Sequence, residues 1–87
     1  MRVVCVWRRE SEYGRALEEW IMEFERRTGR EVESLEPDEA EGEQFCRTYD
    51  VVEYPTIMVL SNGGEVLANW RGQQLPLFDE VSYWATR

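Results

Sequence analysis

Two thiols and no imidazole set the bounds on what this chain can do chemically. Without histidine there is no Ser-His or Cys-His nucleophile pair, no imidazole general base and no His-ligated metal. Cys5 and Cys46 form no CxxC pair, and two cysteines are too few for a structural zinc site or a secreted disulfide framework. Cys5 lies inside the continuous apolar run Val3 to Trp7, where a thiol reads as core packing closed to substrates. Cys46 follows Phe45 in a helical stretch and is the other candidate for a thiol-dependent redox or sensor role. The acidic residues from Glu31 to Glu43 read as solvated surface, since a Ca²⁺ or Mg²⁺ site needs tighter ligand geometry. No metal or other cofactor is expected.

The charge balance narrows the partners. Eighteen acidic against ten basic residues, all ten of them Arg, give a net charge of −8. Such a chain repels phosphate backbones, so no nucleic-acid partner is expected, and Arg8-Arg9 and Arg26-Arg27 read as solvated ends of elements. No stretch approaches the ~20 apolar residues of a membrane span. The apolar N-terminal run stops at Arg8-Arg9, short of a signal peptide, so the expected location is cytoplasmic with both thiols reduced. Eighty-seven residues make a single domain, residues 1–87, and the 43% apolar content with four Trp, four Tyr and three Phe supplies a core.

The elements that must position these residues follow from periodicity. Val3 to Trp7 reads as a strand buried on both faces. Ser11 is expected to cap a helix whose apolar stripe is Tyr13, Leu17, Trp20, Ile21 and Phe24, with Glu23 and Arg27 paired on the outer face and Gly29 as the stop. Glu31 to Glu36 reads as an acidic edge strand. Asp38, with Glu41 three residues on, is expected to cap a second helix carrying Phe45 and Tyr49 inward and ending at Asp50. Thr56 to Leu60 and Glu65 to Trp70 read as strands joined by an Asn62-Gly63 turn, and Pro76 opens a last helix facing inward at Phe78, Val81 and Trp84 or Ala85. The order is β-α-β-α-β-β-α. Strands separated by helices are expected to run parallel and the final hairpin antiparallel, which gives an α/β fold with a mixed four-stranded sheet and helices on both faces.

Three stretches resemble the thioredoxin family: the apolar strand ending in Trp7, the segment from Tyr49 to Thr56 with Tyr54-Pro55-Thr56 at its end, and Asn62-Gly63-Gly64 followed by Gly72. The likeness runs from about residue 3 to the C-terminus and implies a thioredoxin-like fold with a cis Tyr54-Pro55 bond. It also locates a departure. Where a thioredoxin carries Cys-Gly-Pro-Cys, this chain has Ser11-Glu12-Tyr13-Gly14. Dithiol exchange needs a low-pKa thiolate at a helix N-terminus and a second thiol to resolve the mixed disulfide, so dithiol oxidoreductase activity is not expected. In the family, the main chain before the cis-proline pairs with an extended client peptide. Carried over, this implies a binding module with Trp7, Tyr13, Tyr54, Pro55, Arg71 and Gly72 at its face and a peptide or protein as partner. The alternatives are a thiol-dependent redox protein or sensor using Cys5 or Cys46, and a self-associating domain, so that monomer and weak homodimer both stay open.

Overall fold

Seven elements follow the expected order in a computed structural model that describes residues 1–86. They are β1 (Arg2–Val6), α1 (Gly14–Thr28), β2 (Val32–Leu35), α2 (Ala40–Tyr49), β3 (Thr56–Leu60), β4 (Val66–Arg71) and α3 (Phe78–Ala85). The strands form one sheet in the order β2-β1-β3-β4, so the acidic β2 lies at an edge as expected.

Alternation along the two central strands splits the core in two. Val3, Cys5 and Trp7 of the β1 segment and Ile57 and Val59 of β3 join Leu17, Trp20, Ile21 and Phe24 of α1 and Val81 and Ala85 of α3 on one face. Val4, Val6, Met58 and Leu60 point the other way, toward Phe45 of α2 and Val51. Side chains alternate between the two faces of a strand, so a strand covered on both must be apolar at consecutive positions, as residues 3–7 and 57–60 are. On the α1–α3 side, Trp20 stacks on Phe24 with ring centroids 5.2 Å apart, and its indole Nε1–H donates to the Pro76 carbonyl at 3.0 Å.

One pairing departs from expectation. β1 and β2 run parallel, but β3 runs antiparallel to β1 although α2 precedes it. Asp50, at φ 56°, ends α2, and residues 51–55 deliver the chain to the end of β1 at which Val6 faces Thr56. β3 therefore starts where β1 stops and must run back toward Arg2, which faces Leu60.

Helix starts also differ. α1 begins at Gly14 behind Tyr13, whose side chain caps nothing; the Ser11 hydroxyl is turned back to donate to the Arg8 carbonyl at 2.6 Å. α2 begins behind Glu39, and Asp38 is spent on Arg8 instead of on the helix. Pro76 lies ahead of α3, where its carbonyl serves Trp20. The β3–β4 turn places its positive φ at Gly64 (89°), not at Asn62-Gly63. Gly64 N–H reaches the Ser61 carbonyl at 3.0 Å and Ser61 N–H the Glu65 carbonyl at 2.8 Å, the pattern of a turn closed by a left-handed glycine. Beyond it the register slips by one: Val59 faces Ala68 and Leu60 faces Val66, leaving Leu67 as an extra residue in β4.

Candidate functional site

The end of the sheet where β1 exits, β3 enters and β4 finishes brings together most of the residues singled out above. Trp7 continues β1, its N–H donating to the Leu35 carbonyl at 3.0 Å. Its ring is only 3% exposed, packed into the α1–α3 core, with the Arg9 guanidinium carbon 5.1 Å from the ring centroid. An aromatic groove lined by Trp7 and Tyr54 together is therefore absent. Tyr54 packs against the opposite core, under the Arg8 guanidinium at 5.0 Å. The alternation of the sheet separates the two rings.

Residues 8–14 make a tight corner between them. Arg8 N–H donates to the Tyr13 hydroxyl at 3.0 Å, and Gly14 N–H to the Ser11 carbonyl at 3.2 Å. Glu12 points to solvent, whereas Tyr13 is half-buried and Gly14 is buried. A Cβ on Gly14 would fall well inside 3.0 Å of the Arg9 carbonyl oxygen, so this turn admits no side chain there without a shift of main chain.

The other half of the corner is made by β3 and β4. The Tyr54–Pro55 peptide is cis, and the buried Pro55 gives its carbonyl to Gly72 N–H at 2.9 Å. Gly72 has φ 93°, which favours glycine, and a Cβ there would displace the mobile end of the exposed Glu53 side chain, 3.2 Å away. Thr56 closes the approach by donating its hydroxyl to the Glu53 carbonyl at 2.6 Å. Arg71 ends β4 exposed, its Nε donating to Asn69 at 3.3 Å. Sequence reasoning missed Val52, which is 74% exposed two residues before Tyr54, and the Arg8 and Arg9 side chains over the two rings. A pair of arginines directly after a buried tryptophan was the available signal; Asp38, which grips Arg8 from thirty residues away, left none.

The thiols are not equivalent. Cys5 is fully buried in the centre of β1, and burial drives its thiol far above the ordinary range, which suppresses the thiolate. Cys46 is half-buried on α2, beside the Tyr54 hydroxyl, whose own pKa is raised by burial and by that contact. The two cysteines pack on opposite faces of the sheet and are both free.

Among the described residues, no group of three or more His, Cys, Asp or Glu is placed to hold a metal ion, and no helix is long and apolar enough to cross a membrane. A cavity of about 250 Å³ lined by Arg2, Leu35, Phe45 and Tyr49 lies between α2 and β2, away from this corner.

No family model matches the chain, and no curated protein does. Solved structures do. The fold superposes on thioredoxin 1 from the thermophilic eubacterium Thermosipho africanus TCF52B with a TM-score of 0.71, at 13% identity over 99% of this chain and 91% of that one. A structure described as that of a malarial protein matches with a TM-score of 0.68, at 17% identity over 97% of this chain and 91% of the other. The chain has a thioredoxin-like fold, and at such identities the likeness speaks for fold alone.

Proposed function

We propose that this thioredoxin-like chain is a non-catalytic binding module that docks an extended segment of a peptide or protein along residues 52–54 and the Arg71–Gly72 turn. The observation that carries the reading is Val52. A valine left 74% exposed beside half-buried Tyr54 offers apolar surface at the corner where the thioredoxin resemblance points. The neighbouring Ser11 hydroxyl is committed to the Arg8 carbonyl with no base beside it, and Gly14 carries no side chain. Residues 52–54 precede the first ladder residue of β3, which leaves their main chain outside the sheet's own pairing.

The test selects ligands from a display library of eight-residue peptides and maps the selected peptide by amide chemical shifts on the intact protein. Shifts centred on residues 52–56 and 70–73, with binding lost in Val52→Asp and retained in the distant Met22→Asp, support the module. Selected peptides that bind Val52→Asp as tightly as wild type overturn it. Trp7 is unsuitable for such a test, because its ring belongs to the core.

A second reading, a thiol sensor, rests on Cys46 alone, the one cysteine with partial access to solvent. A Cys46→Ser variant with unaltered response to peroxide, measured as oxidised mass, rules it out.

A further inference from the structure

The Arg8 side chain ties two loops together across the candidate face. Its main chain is fixed, the N–H by Tyr13 at 3.0 Å and the carbonyl by Ser11 at 2.6 Å. From that anchor the side chain reaches the loop before α2, where Nε and Nη2 each lie 3.1 Å from one oxygen of the Asp38 carboxylate. On the way it covers the Tyr54 ring, 5.0 Å from guanidinium carbon to centroid. Tyr54 in turn lies with its hydroxyl against the Cys46 thiol, in the cluster that includes Phe45, Val51 and Met58. The order outward from α2 is thus thiol, phenol ring, guanidinium.

The outermost layer is the weakest. Arg8 and Asp38 are 44% and 67% exposed in their side chains, so the forked pair stands in water and is screened by salt. The layers beneath it are held by apolar packing, which salt does not loosen.

We propose that the Arg8–Asp38 fork is a salt-labile strap closing the Tyr54 side of the candidate face, and that its release lets the ring leave α2 and uncovers Cys46. The strap's meaning for partner capture rests on the docking reading given above, whereas its existence rests on these contacts alone.

Cys46 is the reporter. Alkylation of the intact chain by iodoacetamide is followed by mass spectrometry, and rates are taken on the plateau against pH so that changes in thiol ionisation cancel. Asp38→Asn and, independently, Arg8→Gln are expected to label Cys46 roughly two- to fivefold faster than wild type at low salt, the range a surface ion pair supports. Raising salt from about 0.01 M to about 1 M, which shortens the Debye length from ~30 to ~3 Å, brings wild type toward the variant rate and leaves Asp38→Asn nearly unchanged. Cys5, sealed in β1, is the internal control and stays unlabelled. Equal Cys46 rates in wild type and both variants, or Cys5 labelling that rises in parallel, overturns the strap. A strap that opens in a protein whose selected peptides ignore Val52 removes the docking reading and leaves the strap standing.

Discussion

Replacing Gly14 by alanine tests whether the turn before α1 can admit any side chain at this position. Gly14 is the buried first residue of α1. An ideal Cβ there lies well inside 3.0 Å of the Arg9 carbonyl oxygen and 3.1 Å from the carbonyl carbon. Both are main-chain atoms, so no rotamer change relieves the contact. Arg9 cannot easily retreat, because the turn is pinned by Ser11 Oγ and Tyr13 Oη on Arg8 and by Glu36 on the Arg9 N–H at 3.5 Å. Forcing a methyl into a filled site costs about 1–3 kcal/mol. The helix-propensity gain of Gly→Ala is at most about 1 kcal/mol and smaller in a first turn. The net loss is about 1–2 kcal/mol, a fall in thermal midpoint of roughly 4–16 °C for a domain of this size, read by circular dichroism. Cysteine carries the same Cβ. The Ser11→Cys/Gly14→Cys double variant is therefore expected to lose comparable stability and to gain no insulin-reducing activity. A Gly14→Ala midpoint at or above wild type, or a double variant that reduces insulin, refutes the steric argument.

Other outcomes follow from single contacts. Trp20→Phe keeps the stacked ring but strands the Pro76 carbonyl, and is expected to lower unfolding free energy by about 1–3 kcal/mol with an unchanged denaturant slope. An aromatic disulfide reagent is expected to titrate one thiol, Cys46, in the folded protein and two in denaturant; prompt reaction at Cys5 would contradict its burial. Hydrogen bonds from Arg26 and Arg27 hold the Glu23 carboxyl at about 2, below the ordinary value near 4.3. A depressed carboxylate stabilises the fold above its ordinary pKa and loses that contribution as pH falls through the folded value. Glu23→Gln is expected to flatten stability against pH between about 4.3 and 2, and high salt to flatten it in wild type; an unaltered slope in the variant argues against the pairing.

What the sequence made legible was whatever depends on near neighbours. The period of Leu17, Trp20, Ile21 and Phe24 marked α1, and Gly29, at φ 71°, ends it. Unbroken apolar runs in β1 and β3 marked the two-sided core. Caps were less legible, because Ser11 and Asp38 each had a competing acceptor or partner that only the folded chain supplies: the Arg8 carbonyl for one and the Arg8 guanidinium for the other. The direction of β3 was hidden for a related reason, since it depends on where residues 51–55 deliver the chain and not on the helix before them. At the candidate site, Tyr54, Pro55 and Gly72 were singled out by the family resemblance, but the burial of Trp7 was not. A tryptophan at a strand end looks the same in sequence whether its ring faces a groove or the core.

The extra residue in β4 reaches beyond local geometry. β4 is an outer strand, and its free side displays main-chain donors and acceptors at the molecular surface. A regular edge of six residues would serve as a template for another strand, whether from a second molecule or from a growing fibril. With Leu67 inserted, the groups before it and after it no longer share one spacing. An incoming strand meets a regular ladder only over residues 68–71 and cannot carry it past Leu67 in the same register. The slip shortens the regular template on an edge where Val66 is exposed and Leu67 and Trp70 are half-buried, and irregularities of this kind blunt an edge against strand addition.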